Sequence, residues 1–359
     1  MIITYFFEQK ESAMFQWQTT HIVDELAHHG ITVDIVNPLN FKKLEDAHTE
    51  LINRIKETNP SLFLTCHNEK LVPGSLIQEI KRMGIPTALI CFDNLLIPFE
   101  HKNVCSEYDI VWLTSYETEY LFKRWNANTV FLPYAANPYA FIYRELEEIN
   151  RAVFIGTPYG SRANLINDLT SAEIPVTLYG KQSVNKKKHI LTKGLKTTLV
   201  EDLQFDIGRR LLLAAFKQRL SSAAVLNQNA TSLERRGFAD DMAEVYASYA
   251  LSISSTSARN TGILKRPVEV INLRSFEIPM CGGIQFCKFN KELSTYFEED
   301  KEIIFYKSYD EMIEKAKFFT SEKSLNQRRN IRIAARKKAE NEHTWFIRFS
   351  KLFEILGIS

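Results

Sequence analysis

The chain has 359 residues, which at about 150 residues per domain predicts two domains. Its 45% hydrophobic and 25% charged residues exclude a disordered or fibrous chain, and a formal charge of +2 gives no bulk attraction for nucleic acid. Five cysteines, an odd number without a Cys-x-x-Cys pair, argue for reduced thiols over a disulfide framework or a zinc site. The first residues lack a basic and apolar leader, and no apolar run reaches about 18 residues. The expectation is a cytoplasmic protein, at most peripheral to the inner membrane face.

Short apolar runs alternate with helical patterns from the first residue. Ile2 to Phe7 reads as a strand, Phe15 to His29 as a helix stopped by Gly30, and Thr32 to Val36 as the next strand. The unit repeats through helix Leu44–Glu57, strand Ser61–Cys66, helix Gly74–Met83 and strand Thr87–Phe92. Strands Ile110–Leu113 and Thr129–Leu132 follow, around a helix near Glu117–Trp125. The charged stretch Tyr143 to Asn150 reads as a linker. The rhythm then resumes with strand Ala152–Gly156, helix Arg162–Ser171 and strand Pro175–Gly180. It continues with helix Ala239–Ser248, strand Ala250–Ser254, helix Phe276–Cys281 and strand Gly283–Phe286. Helices around Tyr309–Thr320, Leu325–Glu340 and Thr344–Leu356 finish the chain. Strands spaced by single helices need right-handed crossovers, hence parallel sheets covered on both faces. The predicted class is α/β, with two Rossmann-like domains facing across a cleft and ligands beyond the carboxyl ends of the strands.

Lys181 to Arg236 stands apart, with twelve Lys and Arg against four acids, a net of +8. This helical basic insertion in the second domain reads either as a solvated face or as a surface for an anionic membrane, a lipid-linked acceptor or a partner. It lacks interleaved aromatic platforms, so nucleic acid is not expected. On this reading it serves the acceptor, and neutralising it leaves nucleotide affinity within about threefold.

No Gly-x-Gly-x-x-Gly follows the first strand and no P-loop occurs, which disfavours dehydrogenases and ATPases. Chemistry is therefore sought at strand ends. Asp93 and His67 each follow a strand, where either could accept a proton or bind a sugar hydroxyl; a turn-capping aspartate and a loop histidine bonded to backbone are the alternatives. Glu269 and Glu277 stand eight apart in the stretch Pro267 to Gly283. Glu277 lies within a short helix whose first amides, near Leu273 to Phe276 and including Ser275, form an anion site with Arg274. One turn inside, Glu277 can accept paired hydrogen bonds from a ribose diol, so the two describe a nucleoside diphosphate pocket. The alternative is a capped helix with Glu277 paired to Arg274. Gly156 to Arg162 is a second strand-to-helix loop, where Gly156, Tyr159 and Arg162 could meet phosphate, and Lys265 and Arg266 could neutralise a diphosphate.

At these residues the chain resembles a GT-B glycosyltransferase of the CgeB-like (spore-maturation protein) branch, with a family-four-like donor domain. The resemblance is carried by Ile85 to Asp93, Val130 to Pro138, Val153 to Arg162 and, most specifically, Arg274-Ser-Phe-Glu-Ile-Pro-Met-Cys-Gly-Gly283. Glu302 to Met312 and Glu342-His-Thr-Trp345 resemble that family's ending. It implies an acceptor domain over 1–143, a nucleotide-sugar donor domain over 144–343 carrying the insertion 181–236, and a C-terminal helix, 344–359, returning to the first domain. It implies Glu277 on the ribose, Glu269 near the donor sugar, UDP as the carrier and no metal ion or other cofactor. The glycine-rich loop after strand one and the family's diphosphate-gripping basic residues have no clear match. Two other functions compete: a nucleotide-sugar epimerase or hydrolase on the same fold, and a non-catalytic partner-binding or spore-coat protein.

Overall fold

The structure, a computed structural model, describes residues 1–10, 13–158, 160–180, 194–220, 226–227, 229–237, 239 and 241–358. Two compact units divide it: Met1–Ala140 with His343–Ser359, and Phe141–Glu342.

In the first unit, β1 (Ile2–Phe6), β2 (Thr32–Val36), β3 (Leu62–Thr65), β4 (Thr87–Cys91), β5 (Ile110–Leu113) and β6 (Thr129–Phe131) form one sheet in the order β2-β1-β3-β4-β5-β6. All pairs are parallel. Every residue of β3, β4 and β5 is buried, as expected for central strands with helices on both faces. The order reverses between β1 and β3, so the crevice of this unit lies beyond the ends of those strands.

In the second unit, β7 (Ile149–Ile155), β8 (Val176–Tyr179), β9 (Leu233–Arg236), β10 (Tyr249–Ile253), β11 (Gln285–Lys288) and β12 (Ile304–Tyr306) run in the order β12-β11-β10-β7-β8-β9, again all parallel. This is the doubly wound dinucleotide-fold order, with its reversal between β7 and β10. Two readings change. The stretch taken as a linker already contains the start of β7, because Ile149, Asn150 and Arg151 are strand residues outside the buried stretch Ala152–Phe154. The basic stretch taken as an insertion ends in β9, the sheet's edge strand, whose Leu-Glu-Arg-Arg sequence gives no apolar signal. Its described helices are Gly194–Leu203 and Asp206–Leu220, while residues 181–193 and 221–225 lie outside the described residues. Among the described residues no helix is long and apolar enough to cross a membrane.

A buried ionic cluster ties the second unit together. Arg328, with 0% of its surface exposed, donates to both carboxylate oxygens of Glu148 (2.8 and 3.0 Å), to Asn150 Oδ1 (2.8 Å) and to the carbonyl of Phe319 (2.8 Å). Arg332, one turn on, shares Glu148 at 2.7 Å. Burial alone would raise the Glu148 carboxyl, but hydrogen bonds from Arg328 and the charge of Arg332 outweigh it and hold the group below the usual range. In the first unit Glu25 is buried without such a cation pair. It accepts the amides of Trp345 (3.2 Å) and Phe346 (2.8 Å) at the start of the helix Trp345–Leu356. There burial dominates and pushes its carboxyl up to about 7.

The two carboxylates carry opposite pH signatures. Glu148, depressed when folded, stabilises fully above its unfolded value near 4.3 and loses that contribution as pH falls below it. Glu148→Gln should therefore lower stability by about 3 kcal/mol at pH 7, in urea unfolding followed by far-UV circular dichroism, with the gap narrowing below about pH 4. Glu25, raised when folded, keeps its proton where the unfolded chain has lost it, so the first unit loses stability between about pH 4.5 and 7. Glu25→Gln should flatten that decline by up to about 3 kcal/mol. Tryptophan fluorescence reads this directly, since Trp17, Trp112, Trp125 and Trp345 all belong to the first unit.

Candidate functional site

The crevice of the second unit is built from backbone. Gly156 leaves β7 at φ +138° and Gly180 leaves β8 at φ +146°, conformations that side chains rarely adopt. A Cβ on Gly180 would lie 2.3 Å from the Gly156 carbonyl oxygen, so the two strand ends meet with no room for a side chain. The Gly156 amide donates to Tyr179 O (2.8 Å), and that of Gly180 to Gly237 O (3.0 Å). A Cβ on Gly156 would stand 3.4 Å from an Arg274 guanidinium nitrogen. The structure thus brings Gly156 and Arg274 together at the β7/β10 reversal, although 118 positions separate them in sequence.

Arg274 opens the seven-residue helix Arg274–Met280, in which Ser275 is 1% and Glu277 5% exposed. Burial pushes the Tyr246 phenol upward, and the charges of Arg274 and Glu277 act on it in opposite directions, so the three groups share one neighbourhood. The helix start differs from expectation. Its amides are already engaged: Arg274 N–H donates to Asn272 Oδ1 (3.1 Å), Ser275 to Asn272 O (2.9 Å), and Phe276 and Glu277 to Leu273 O (2.9 Å each). An anion here would be met by side-chain cations, with Arg274 foremost, rather than by a bare helix terminus.

The loop between β10 and this helix folds on itself. Ala258 N donates to Val268 O and Val270 N to Thr256 O, both 2.8 Å, with Ser257 opposite Glu269 in antiparallel register. Glu269, Lys265 and Arg266 are exposed on this loop, while Arg162, at the start of the helix Ser161–Ser171, is half-buried. Tyr159 lies outside the described residues. Sequence reasoning missed what supports the loop from behind. Arg210, on the helix Asp206–Leu220, donates to the carbonyls of Arg266 (3.5 Å) and Pro267 (3.3 Å) and pairs with Asp206 at 3.0 Å. Gln218 on the same helix accepts from Asn260, and Asn260 in turn packs on Gly160. No local pattern marks these pairs; they are 56 and 42 residues apart.

In the first unit, His67 follows β3 and its Nε2 accepts the Glu8 backbone N–H at 2.9 Å, across the β1/β3 reversal. Burial pushes its imidazole down to about 4, so it is neutral at physiological pH with the proton on Nδ1. Asp93 follows β4 at φ +56°, an exposed aspartate in left-handed backbone. The Tyr134 hydroxyl donates to Asp93 Oδ1 and accepts the Asp93 amide, both at 3.3 Å. Burial, then the Asp93 charge, raises the Tyr134 phenol well above its usual value, which keeps it a donor. Tyr134 was legible only as part of the stretch Val130 to Pro138. Among the described residues no group of three His, Cys, Asp or Glu could hold a metal ion, and all five cysteines are free.

Residues 197–354 match the family described as glycosyl transferase-like. Over 99% of both chains the structure resembles HepE from Anabaena, solved with UDP-glucose, at 13% identity and a TM-score of 0.60. A glycosyltransferase from Rickettsia africae is similar over 99% of this chain and 97% of its own, at 12% identity and a TM-score of 0.61. Sucrose-phosphate synthase from Thermosynechococcus elongatus is similar over 99% and 98%, at 13% identity and a TM-score of 0.52. No curated protein sequence matches the chain. The family match marks residues 197–354 as glycosyl transferase-like, and the full-length structural likeness shows the fold, two Rossmann-like domains of the GT-B kind.

Proposed function

We propose that the chain transfers a sugar from a UDP-sugar to an acceptor hydroxyl, with the donor held by the second unit and the acceptor by the first. The observation that carries this reading is the β7/β10 reversal, where the side-chain-free Gly156–Gly180 seat meets the Arg274 guanidinium and a buried carboxylate, Glu277, sits one helical turn further on. A diphosphate needs close backbone and a cation, and a ribose diol needs a carboxylate a short way off. The HepE complexes with UDP and with UDP-glucose support uridine as the nucleoside.

In this reading Arg274, with Arg162, Lys265 and Arg266, takes up the charge of the departing diphosphate without a metal, and Ser275 lies beside them. Glu277 holds the ribose and Glu269 faces the donor sugar. The acceptor oxygen bonds to the anomeric carbon as that carbon's bond to the diphosphate breaks. The bonding pair leaves with the diphosphate, and the hydroxyl proton passes to Asp93. His67 has its Nε2 already occupied by the Glu8 amide, so it orders the strand-end loops and Asp93 takes the proton. The CgeB-like branch is the finer assignment that the Arg274 to Gly283 stretch supports.

Glu277→Ala should weaken UDP binding 10- to 100-fold, as expected for about 1.5–3 kcal/mol lost with a charge-assisted bond. Glu277→Gln should lose less. Calorimetry on the folded variants decides it, and wild-type affinity in Glu277→Ala would make the glutamate structural. Inversion of the sugar in free UDP-sugar, without transfer, would favour an epimerase. The described part of the basic stretch supports a role opposite to the one expected from its charge, since Arg210 holds the loop that carries Lys265 and Arg266. Arg210→Met should therefore lower UDP-sugar affinity by about tenfold. Arg210→Lys, which keeps one donor, should recover part of it, and unchanged affinity in the Met variant would return the stretch to an acceptor role.

A further inference from the structure

The carboxyl edge of the first sheet carries aromatic rings around Asp93. Trp17 stands edge-on to Phe92, with centroids 4.8 Å apart and planes at 80°. Phe92 runs nearly parallel to Tyr134 at 6.2 Å and 16°, and Trp17 lies 6.1 Å from Trp345. Tyr134 and Trp345 are buried, as members of a core should be. Trp17 and Phe92 are only half-buried, and Phe92 directly precedes the exposed Asp93 in its left-handed backbone. Both residues therefore keep part of their surface accessible beside a carboxylate at a strand end.

We infer that Trp17, Phe92 and Asp93 form the acceptor subsite and that the acceptor is a saccharide. The inference deepens the proposed function and rests on its assignment of the acceptor to the first unit. A pyranose presents an apolar C–H face and a rim of hydroxyls. Aromatic rings pack against the face, and a carboxylate accepts from the rim, so one ligand uses both kinds of group at once. An alkyl chain would use the rings and leave the carboxylate idle or desolvated. The inner rings serve the outer ones: Tyr134 and Trp345 pack against Phe92 and Trp17, so the half-buried rings are held in place before any ligand arrives.

The full-length chain can be titrated with free di- and trisaccharides of glucose, galactose, mannose and N-acetylglucosamine while the indole N–H resonances are followed by nuclear magnetic resonance. Four tryptophans give four indole signals, assigned through single Trp→Phe variants. At least one saccharide should shift the Trp17 signal saturably and leave Trp125 unmoved. Trp17→Ala and Phe92→Ala should weaken that saccharide at least tenfold, while UDP affinity by calorimetry stays within twofold. Trp17→Leu and Phe92→Leu, which keep apolar volume, separate loss of the platform from loss of fold. The inference is overturned if no saccharide in the panel moves Trp17, if affinity survives in Trp17→Leu and Phe92→Leu, or if a planar phenol moves Trp17 where saccharides do not. Saccharide binding without UDP binding would sink the donor reading and leave this subsite standing, so the two failures are told apart.

Discussion

The second unit depends on one interaction, the burial of Glu148 between Arg328 and Arg332. Arg328, Arg332 and Arg336 fall at four-residue spacing on the helix Leu325–Glu342, so their side chains share a face, and that face looks inward. Buried charges are tolerated only when paired and fully hydrogen-bonded, and each arginine here meets that condition through carbonyls as well as a carboxylate. Arg332 donates to the carbonyls of Ala247 (2.8 Å), Tyr249 (2.6 Å) and Gly282 (2.8 Å). Those three groups are the end of the helix Met242–Ser248, the first residue of β10 and the turn after the helix Arg274–Met280. Arg336 adds the carbonyls of Phe141 and Met280. The helix that carries Glu277 is thus fixed at its carboxyl end by guanidinium groups, a directional constraint that apolar packing would not impose.

The opposite end of that helix explains the division of labour at the site. Asn272 and Leu273 already accept the amides of residues 274–277, which removes the helix terminus as a free anion donor and makes the local backbone rigid. In the proposed reading phosphate is met by the Arg274 guanidinium, beside strand ends where Gly156 and Gly180, their own amides already bonded to Tyr179 O and Gly237 O, leave space free of side chains. Such a seat is shaped by strand ends rather than by side-chain rotamers, so its geometry follows from the sheet. Two further candidate cations, Lys265 and Arg266, sit on the loop after β10, which is also held from outside itself. Arg210 holds it from the helix Asp206–Leu220.

Much of the fold was legible because central parallel strands are continuous apolar runs. Ile110–Leu113 is found with the predicted bounds, an unbroken Ile-Val-Trp-Leu, while the edge strand Thr32–Val36 was legible by the Gly30 stop before it. The failures lie at sheet margins. Leu233–Arg236 is an edge strand whose charged side chains form ion pairs, and Ile149-Asn150-Arg151 is the part of β7 outside its buried stretch, so neither carries an apolar signal. Within the site, Gly156 and Arg274 stand out in the sequence because each sits where a strand ends or a helix begins, and Glu277 because it lies one turn inside that short helix. Tyr134 and Arg210 do not, since each works through a partner 41 or more residues away. The arginine stripe had a readable spacing, but on a helix so polar it looks like a solvated face until the partner carboxylate is found in the charged stretch before β7.

The first unit solves the same problem with the opposite charge balance. Its carboxylate, Glu25, caps the helix Trp345–Leu356 through the amides of Trp345 and Phe346, and burial outweighs what those two bonds return. The helix is nevertheless held, because Trp345 packs into the rings of Trp17, Trp112 and Tyr134 and Arg348 donates to the carbonyl of Pro133 at 3.1 Å. Pro133 precedes Tyr134, whose hydroxyl holds Asp93. A segment more than 200 residues away in sequence thereby sets the backbone behind the proposed proton acceptor. Arginine and aromatic contacts supply the rigidity, and the weakly compensated glutamate makes the attachment pH-dependent. In the second unit the carboxylate is the anchor; in the first it is a group whose burial the surrounding bonds do not offset.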